Sequence, residues 1–139
     1  MPASLLVFRR ICWLGVVIWV VTVFILSSLP GPEVAELNVL DVWDKALHFA
    51  AFFCGALALL PALRLTCTWS WKRTILTGIA ALSLYGALDE FHQSFTPSRS
   101  ALDPGDWSAD TLGAAAGTLL AAFVYARVSR KNQPAPPGA

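Results

Sequence analysis

Residues 11–29 read ICWLGVVIWVVTVFILSSL, 19 consecutive positions without a charge. As an α-helix rising about 1.5 Å per residue, this run extends about 28 Å, close to the hydrocarbon thickness of a bilayer. Arg9 and Arg10 precede it, as basic residues precede the apolar core of a signal peptide. The run is longer than such a core usually is, and Ser27-Ser28-Leu29-Pro30 offers no small-x-small cleavage site. It is therefore expected to remain as a first membrane span.

Three further apolar runs follow, at Ala46–Leu63, Thr74–Leu88 and Thr111–Ala126. The last two reach spanning length when their helices continue into the polar flanks. The whole chain of 139 residues is 56% hydrophobic and 14% charged, with a mean hydropathy of +0.60. Average soluble domains carry roughly a quarter charged residues. So few charges exclude both a water-soluble monomer and a disordered chain. The length suits one domain and excludes a multidomain enzyme. Cys12, Cys54 and Cys67 are odd in number and have no metal-ligand spacing, so they are expected to be small buried hydrophobes.

Charge sets the expected topology. Arg9, Arg10, Arg64, Lys72, Arg73, Arg127, Arg130 and Lys131 fall on one side of a four-span arrangement, and only Lys45 and Arg99 on the other. All nine acids lie with Lys45 and Arg99. The positive-inside rule then places both termini in the cytoplasm. Trp13, Trp43, Trp69, Trp71 and Trp107 fit interfacial belts, while Trp19 is mid-span. The expected fold is an all-α, integral-membrane four-helix bundle, N-in and C-in. Residues 1–10 form a cytoplasmic N-terminus, 11–126 the membrane domain, and 127–139 a cytoplasmic tail. The stretch KNQPAPPGA at 131–139 is polar, proline-rich and expected to be disordered.

The same four spans bring polar residues to one depth near the outer face. Asp44 and His48 are four apart on span two, and Asp106 and Asp110 four apart on span four. Tyr85, Asp89 and Gln93 recur every four residues on span three. Arg73 and Asp89 are separated by about 24 Å of helix, which puts Asp89 just inside the outer edge of the core. A charge there costs on the order of 1–3 kcal/mol unless it faces protein or water. Lys45, His48 and Arg99 are the available partners for the acids. The segment Phe95–Gly105, FTPSRSALDPG, reads as a surface loop bounded by Pro97 and Pro104-Gly105. Arg99 in that loop either neutralises nearby acids or folds over the site to orient an anionic group. Gly113 and Gly117 form GxxxG on span four. They serve helix packing within the monomer or, in the other use of this pattern, a homo-oligomer seam.

These segments resemble the VanZ-like family of membrane proteins. Asp44-Lys45-Ala46-Leu47-His48-Phe49 resembles its first motif. Tyr85-Gly86-Ala87-Leu88-Asp89-Glu90-Phe91-His92-Gln93-Ser94-Phe95, with Pro97 and Arg99, resembles its second. Asp106 with Gly113 and Gly117 resembles its third. The likeness covers roughly residues 40 to 120, in the expected order. Two positions depart from the pattern. The family more often has Pro-Gly-Arg where this chain has Pro97-Ser98-Arg99, and often Asn where it has Asp110. The resemblance implies a small, multi-pass bacterial inner-membrane protein of four helices. The family's namesake is an accessory protein for low-level resistance to the glycopeptide teicoplanin, which makes antibiotic resistance one role to consider.

Two functional classes lead. In the first, Asp44, Lys45, His48, Tyr85, Asp89, Glu90, Gln93, Arg99, Asp106 and Asp110 form an outward pocket. The pocket binds a lipid headgroup or cell-wall lipid precursor and modulates the envelope. The outer side carries formal −7, which repels a bare phosphate unless Arg99, Lys45 or a cation intervenes. In the second, the protein is an intramembrane enzyme on a lipid-linked substrate, with Glu90 as general base and His48 as its partner or the acid. Adjacent Asp89 and Glu90 point about 100° apart on a helix and hardly share one task. No GxSxG or HExxH motif is present, so binding is expected before catalysis. A metal site from His48, Asp89, Glu90, His92 and Asp110 is conceivable, but its spacing is not diagnostic. Neither a metal nor another cofactor is expected. A coupled transporter would need more helices or an oligomer. The cluster also suits a purely structural lock of three helix ends. No basic aromatic patch supports nucleic-acid binding, so membrane lipids are the expected partners.

Overall fold

A computed structural model describes residues 3–40 and 42–131. They form five helices: α1 (Ala3–Ser28), α2 (Gly31–Leu37), α3 (Asp44–Thr66), α4 (Trp71–Gln93) and α5 (Pro104–Lys131). The protein is all-α, and α1, α3 and α5 are long and apolar enough to cross a membrane. α4 is as long as α3 but is not among them, because Asp89, Glu90, His92 and Gln93 lower the apolarity of its end. α1 exposes Ile11, Leu14, Val17, Ile18, Val21, Phe24 and Ile25. A continuous apolar face of that extent is foreign to a water-exposed surface.

α3 is the central element, packing most extensively on α5, then on α1, with α4 against α5 and α3. The α3–α5 seam is close because α5 presents small residues there. A Cβ on Gly113 would overlap the backbone carbonyl and Cα of Phe49, and one on Gly117 the carbonyl of Phe53. The two glycines thus pack within the chain, where backbones touch without intervening side chains. Phe52, Ala56, Leu59, Leu63, Leu82 and Ala114 form the main core beside them. Trp19, mid-span in α1, fills the space left by Gly55, stacks edge-on to Phe52 at 5.2 Å and donates to the Ala51 carbonyl at 2.7 Å. A buried indole N–H needs such an acceptor.

Arg64 ends α3 and Arg73 begins α4, so both lie at the same end of the bundle. Arg64 and Arg73 lie over the rings of Trp71 and Trp69 at 4.3 and 4.5 Å. These contacts are cation–π in kind. Three local expectations change. Cys12 is buried, but Cys54 is exposed and Cys67 half-buried, so the cysteines do not share one environment. α5 continues through Lys131, past the boundary expected at Ala126, and residues 132–139 of the expected tail lie outside the described residues. Pro104-Gly105 opens α5 instead of closing a loop. Proline suits the first helical position, and Asp103 ahead of it accepts from the Gly105 N–H at 2.7 Å as an N-cap.

The chain between α4 and α5 is strained. Ser98 has φ 58° and Leu102 φ 56°, the left-handed region that disfavours residues with a Cβ. Ser98 occupies the position where the VanZ-like pattern more often has glycine. Its carbonyl abuts Gly31, whose N–H donates to the Pro97 carbonyl at 3.2 Å. Ser98→Gly is expected to relieve about 1 kcal/mol of backbone strain and raise the melting temperature in detergent by a few degrees. A lower melting temperature would mean that the serine side chain outweighs the strain.

Candidate functional site

The polar residues gather where α1 and α4 end and α3 and α5 begin. They form two groups that back onto each other. The first is a clamp among α3, the α4–α5 connection and α5. Lys45 Nζ donates to Asp106 Oδ1 at 2.6 Å and to Asp103 Oδ2. Asp106 is buried at 2% exposure. The Lys45 ammonium holds the Asp103 carboxyl below the usual aspartate range, aided by the Gly105 N–H. Glu90, also buried, accepts the Asp103 backbone N–H at 2.9 Å through Oε2, while its Oε1 has no partner among the described residues. His48 Nδ1 lies 3.0 Å from Asp110 Oδ1, within hydrogen-bond distance. Asp110 is fully buried, and its Oδ2 faces Gly86 of α4, where a Cβ would collide with that carboxylate.

The second group lines a cavity of about 450 Å³. Its polar wall is Ser27, Asn38, Asp44, His48, Asp89, Gln93 and Arg99. Its apolar wall includes Val23 and Leu26 of α1, Val34 and Leu37 of α2, and Leu47 and Phe52 of α3. The volume and the mixture of a wide apolar lining with a few converging polar groups are those of a small-molecule site. Asp89 and Gln93 are buried and bonded to each other at 2.9 Å, one helical turn apart. Arg99 reaches in from the α4–α5 connection, and its buried Nε has no partner among the described residues.

The residues expected at one pocket thus separate. Asp44, His48, Asp89, Gln93 and Arg99 line the cavity. Lys45, Glu90, Asp106 and Asp110 belong to the clamp behind it. Tyr85 turns to α1, its hydroxyl donating to the Val20 carbonyl at 3.0 Å. His92 stacks on Phe24 at 4.9 Å and meets Ser28 at 3.0 Å, away from His48. The five-residue metal set conceived from the sequence is therefore not assembled. Among the described residues, Asp44, His48 and Asp106 do bring one ligand atom each within 4.8 Å of one another. A divalent cation there would compete with Lys45 for Asp106.

Three contributors escape a reading by motif. Asp103 looked like one loop acid among many, although an Asp before Pro at a helix start is an N-cap signature. Asn38 and the short helix α2 were invisible because GPEVAEL has no extended apolar period. Asn38 closes its own turn, accepting the Val42 N–H at 3.0 Å and donating to the Val42 carbonyl at 2.8 Å. Val39, Leu40 and Val42 beside it line the cavity.

Compared with known proteins, the chain matches the family model described as VanZ/LLP1 over residues 7–125. No curated protein and no solved structure matches it.

Proposed function

The chain belongs to the VanZ/LLP1 family of which it matches residues 7–125, and on that footing we propose that it is a lipid-binding protein of the bacterial inner membrane. It spans the membrane four times with both termini in the cytoplasm. α4 serves as the fourth span because its polar residues Asp89, Glu90 and Gln93 are buried against protein and do not meet lipid. The asymmetry of basic and acidic ends supports this orientation. The polar cluster then opens near the outer leaflet. It holds the headgroup of a lipid or cell-wall lipid precursor, and through it the protein modulates the envelope, glycopeptide susceptibility included.

The observation that carries this reading is the cavity, which joins Asp44, Asp89 and Arg99 to a wall of aliphatic side chains. A headgroup with the first part of its acyl chains has that same division. Native mass spectrometry of the full protein, purified with bacterial lipids and cell-wall lipid precursor, tests it. Wild type and Glu90→Gln are expected to retain a lipid, and Asp89→Asn to lose it by about tenfold while melting within a few degrees of wild type. Retention that is equal in all three, or absent from all, would move the role of this end to holding helices together.

A second reading, an enzyme acting on lipid-linked material, draws on the His48–Asp110 pair at the cavity wall. A buried carboxylate orienting an imidazole is an arrangement suited to general acid–base work. Glu90 is turned to the Asp103 amide and is off the cavity wall, so His48 is the residue placed to act as base in this reading. Conversion of the retained lipid in the same preparation would establish it.

A further inference from the structure

The charges on the cavity wall do not suit a simple phosphate. Arg99 supplies the cavity's only guanidinium or ammonium among the described residues, whereas Asp44 and Asp89 both present carboxylates to the same space. A bare anion held by Arg99 would therefore sit beside two like charges, the kind of juxtaposition that rejects wrong partners. A bare amine would satisfy the carboxylates and leave Arg99 without an anion. Each of the three groups has unused bonding capacity. Arg99 lines the cavity without an ion pair among the described residues, and a guanidinium so placed favours a phosphate oxygen. Asp89 takes only the Gln93 amide, through Oδ2, and Asp44 takes no donor among the described residues.

We propose that the cavity selects a zwitterionic aminophospholipid, with the phosphate on Arg99, the primary ammonium on Asp44 and Asp89, and the start of an acyl chain on the aliphatic wall. The proposal rests on the lipid-binding reading above and narrows it to one headgroup class. A primary ammonium has three N–H donors and so can bond more than one carboxylate. A glycerol headgroup leaves both carboxylates unpaired. A trimethylammonium group has the charge but no donor.

The path into the site is consistent with a lipid. Leu37, Val39 and Leu40 follow one another on the segment that borders the cavity and are 59%, 85% and 82% exposed. Apolar side chains that lie open beside a cavity with a few polar groups suit the boundary between headgroups and acyl chains.

The test is competitive lipid retention by native mass spectrometry on delipidated full-length protein in detergent. The probes are phosphatidylethanolamine, phosphatidylglycerol and phosphatidylcholine with identical acyl chains. Wild type is expected to retain the ethanolamine lipid about tenfold over the glycerol lipid, and the choline lipid to a lesser degree. Asp44→Asn with Asp89→Asn should bring the ethanolamine-to-glycerol ratio to about one. Arg99→Gln should reduce retention of both by about tenfold. Asp44 is exposed and makes no hydrogen bond within the described residues, so Asp44→Asn alone carries the test should the double variant not fold. Equal or better retention of phosphatidylglycerol by wild type would overturn the headgroup assignment and leave lipid binding standing. An ethanolamine preference unchanged by Asp44→Asn would also overturn it. Retention of no probe by wild type would overturn the lipid-binding reading as well.

Discussion

Gly113→Ala is expected to destabilise the folded protein by about 3 kcal/mol, the upper end of the range for overpacking a core. The added methyl has no side chain to push aside. It lands on the Phe49 carbonyl, carbonyl carbon and Cα, all backbone atoms of α3, so the two helices must separate. α3 and α5 form the largest contact in the molecule, and both Asp106 and Asp110 of α5 depend on it for their partners on α3. The expected measurement is a melting temperature in detergent that falls by several degrees. Gly78→Ala is the control. A Cβ there meets Thr118 and Leu63 at 3.8–3.9 Å, ordinary van der Waals contact, and alanine is the better helix former. It should melt at or slightly above wild type. Should Gly113→Ala melt like wild type and instead change the oligomeric state, the GxxxG pattern would serve contact between copies and the α3–α5 seam would be wrong.

Lys45→Met is expected to be nearly as damaging. Asp106, 2% exposed, would lose its ammonium partner and remain as a carboxylate in a poorly solvated place. Breaking a buried ion pair from one side costs on the order of 3 kcal/mol, more than the pair itself contributes. Asp103 adds little to this figure, because it is solvent-exposed enough to be rehydrated. Lys45→Met combined with Asp106→Asn should therefore recover more than half of the lost melting temperature, since no unpaired charge is left behind. No recovery in the double variant would show that the lysine acts through packing of its aliphatic stem and that the ion pair is incidental.

The same asymmetry clarifies the division of labour at this end. Glu90 and Asp110 are buried with one oxygen each that no described group satisfies, and both belong to the clamp. Asp89 and Arg99 face the cavity. A substitution in the clamp is felt first in stability, and one on the cavity wall first in ligand retention. Comparing Asp89→Asn with Glu90→Gln separates these effects between adjacent residues of one helix.

Much of this molecule was legible before any tertiary contact was known. The 19-residue uncharged run dictates α1, because length and hydropathy are local properties that a bilayer reads directly. The helical period places Asp44 with His48, and Asp106 with Asp110, and it sets Asp89 and Glu90 about 100° apart. Their separation into cavity and clamp follows from that angle. The three VanZ-like motifs carried the family. Only the tertiary structure decided which side each of those faces takes. Lys45 finds its carboxylates 58 and 61 residues along the chain, and local period has no information about such pairs. Gly113 and Gly117 suit a partner within or between chains equally well until Phe49 and Phe53 are brought against them. The cavity itself is a joint product of α1, α2, α3, α4 and the strained connection bearing Arg99. A cavity is a volume left where separate elements fail to fill space, so no single stretch of sequence encodes it.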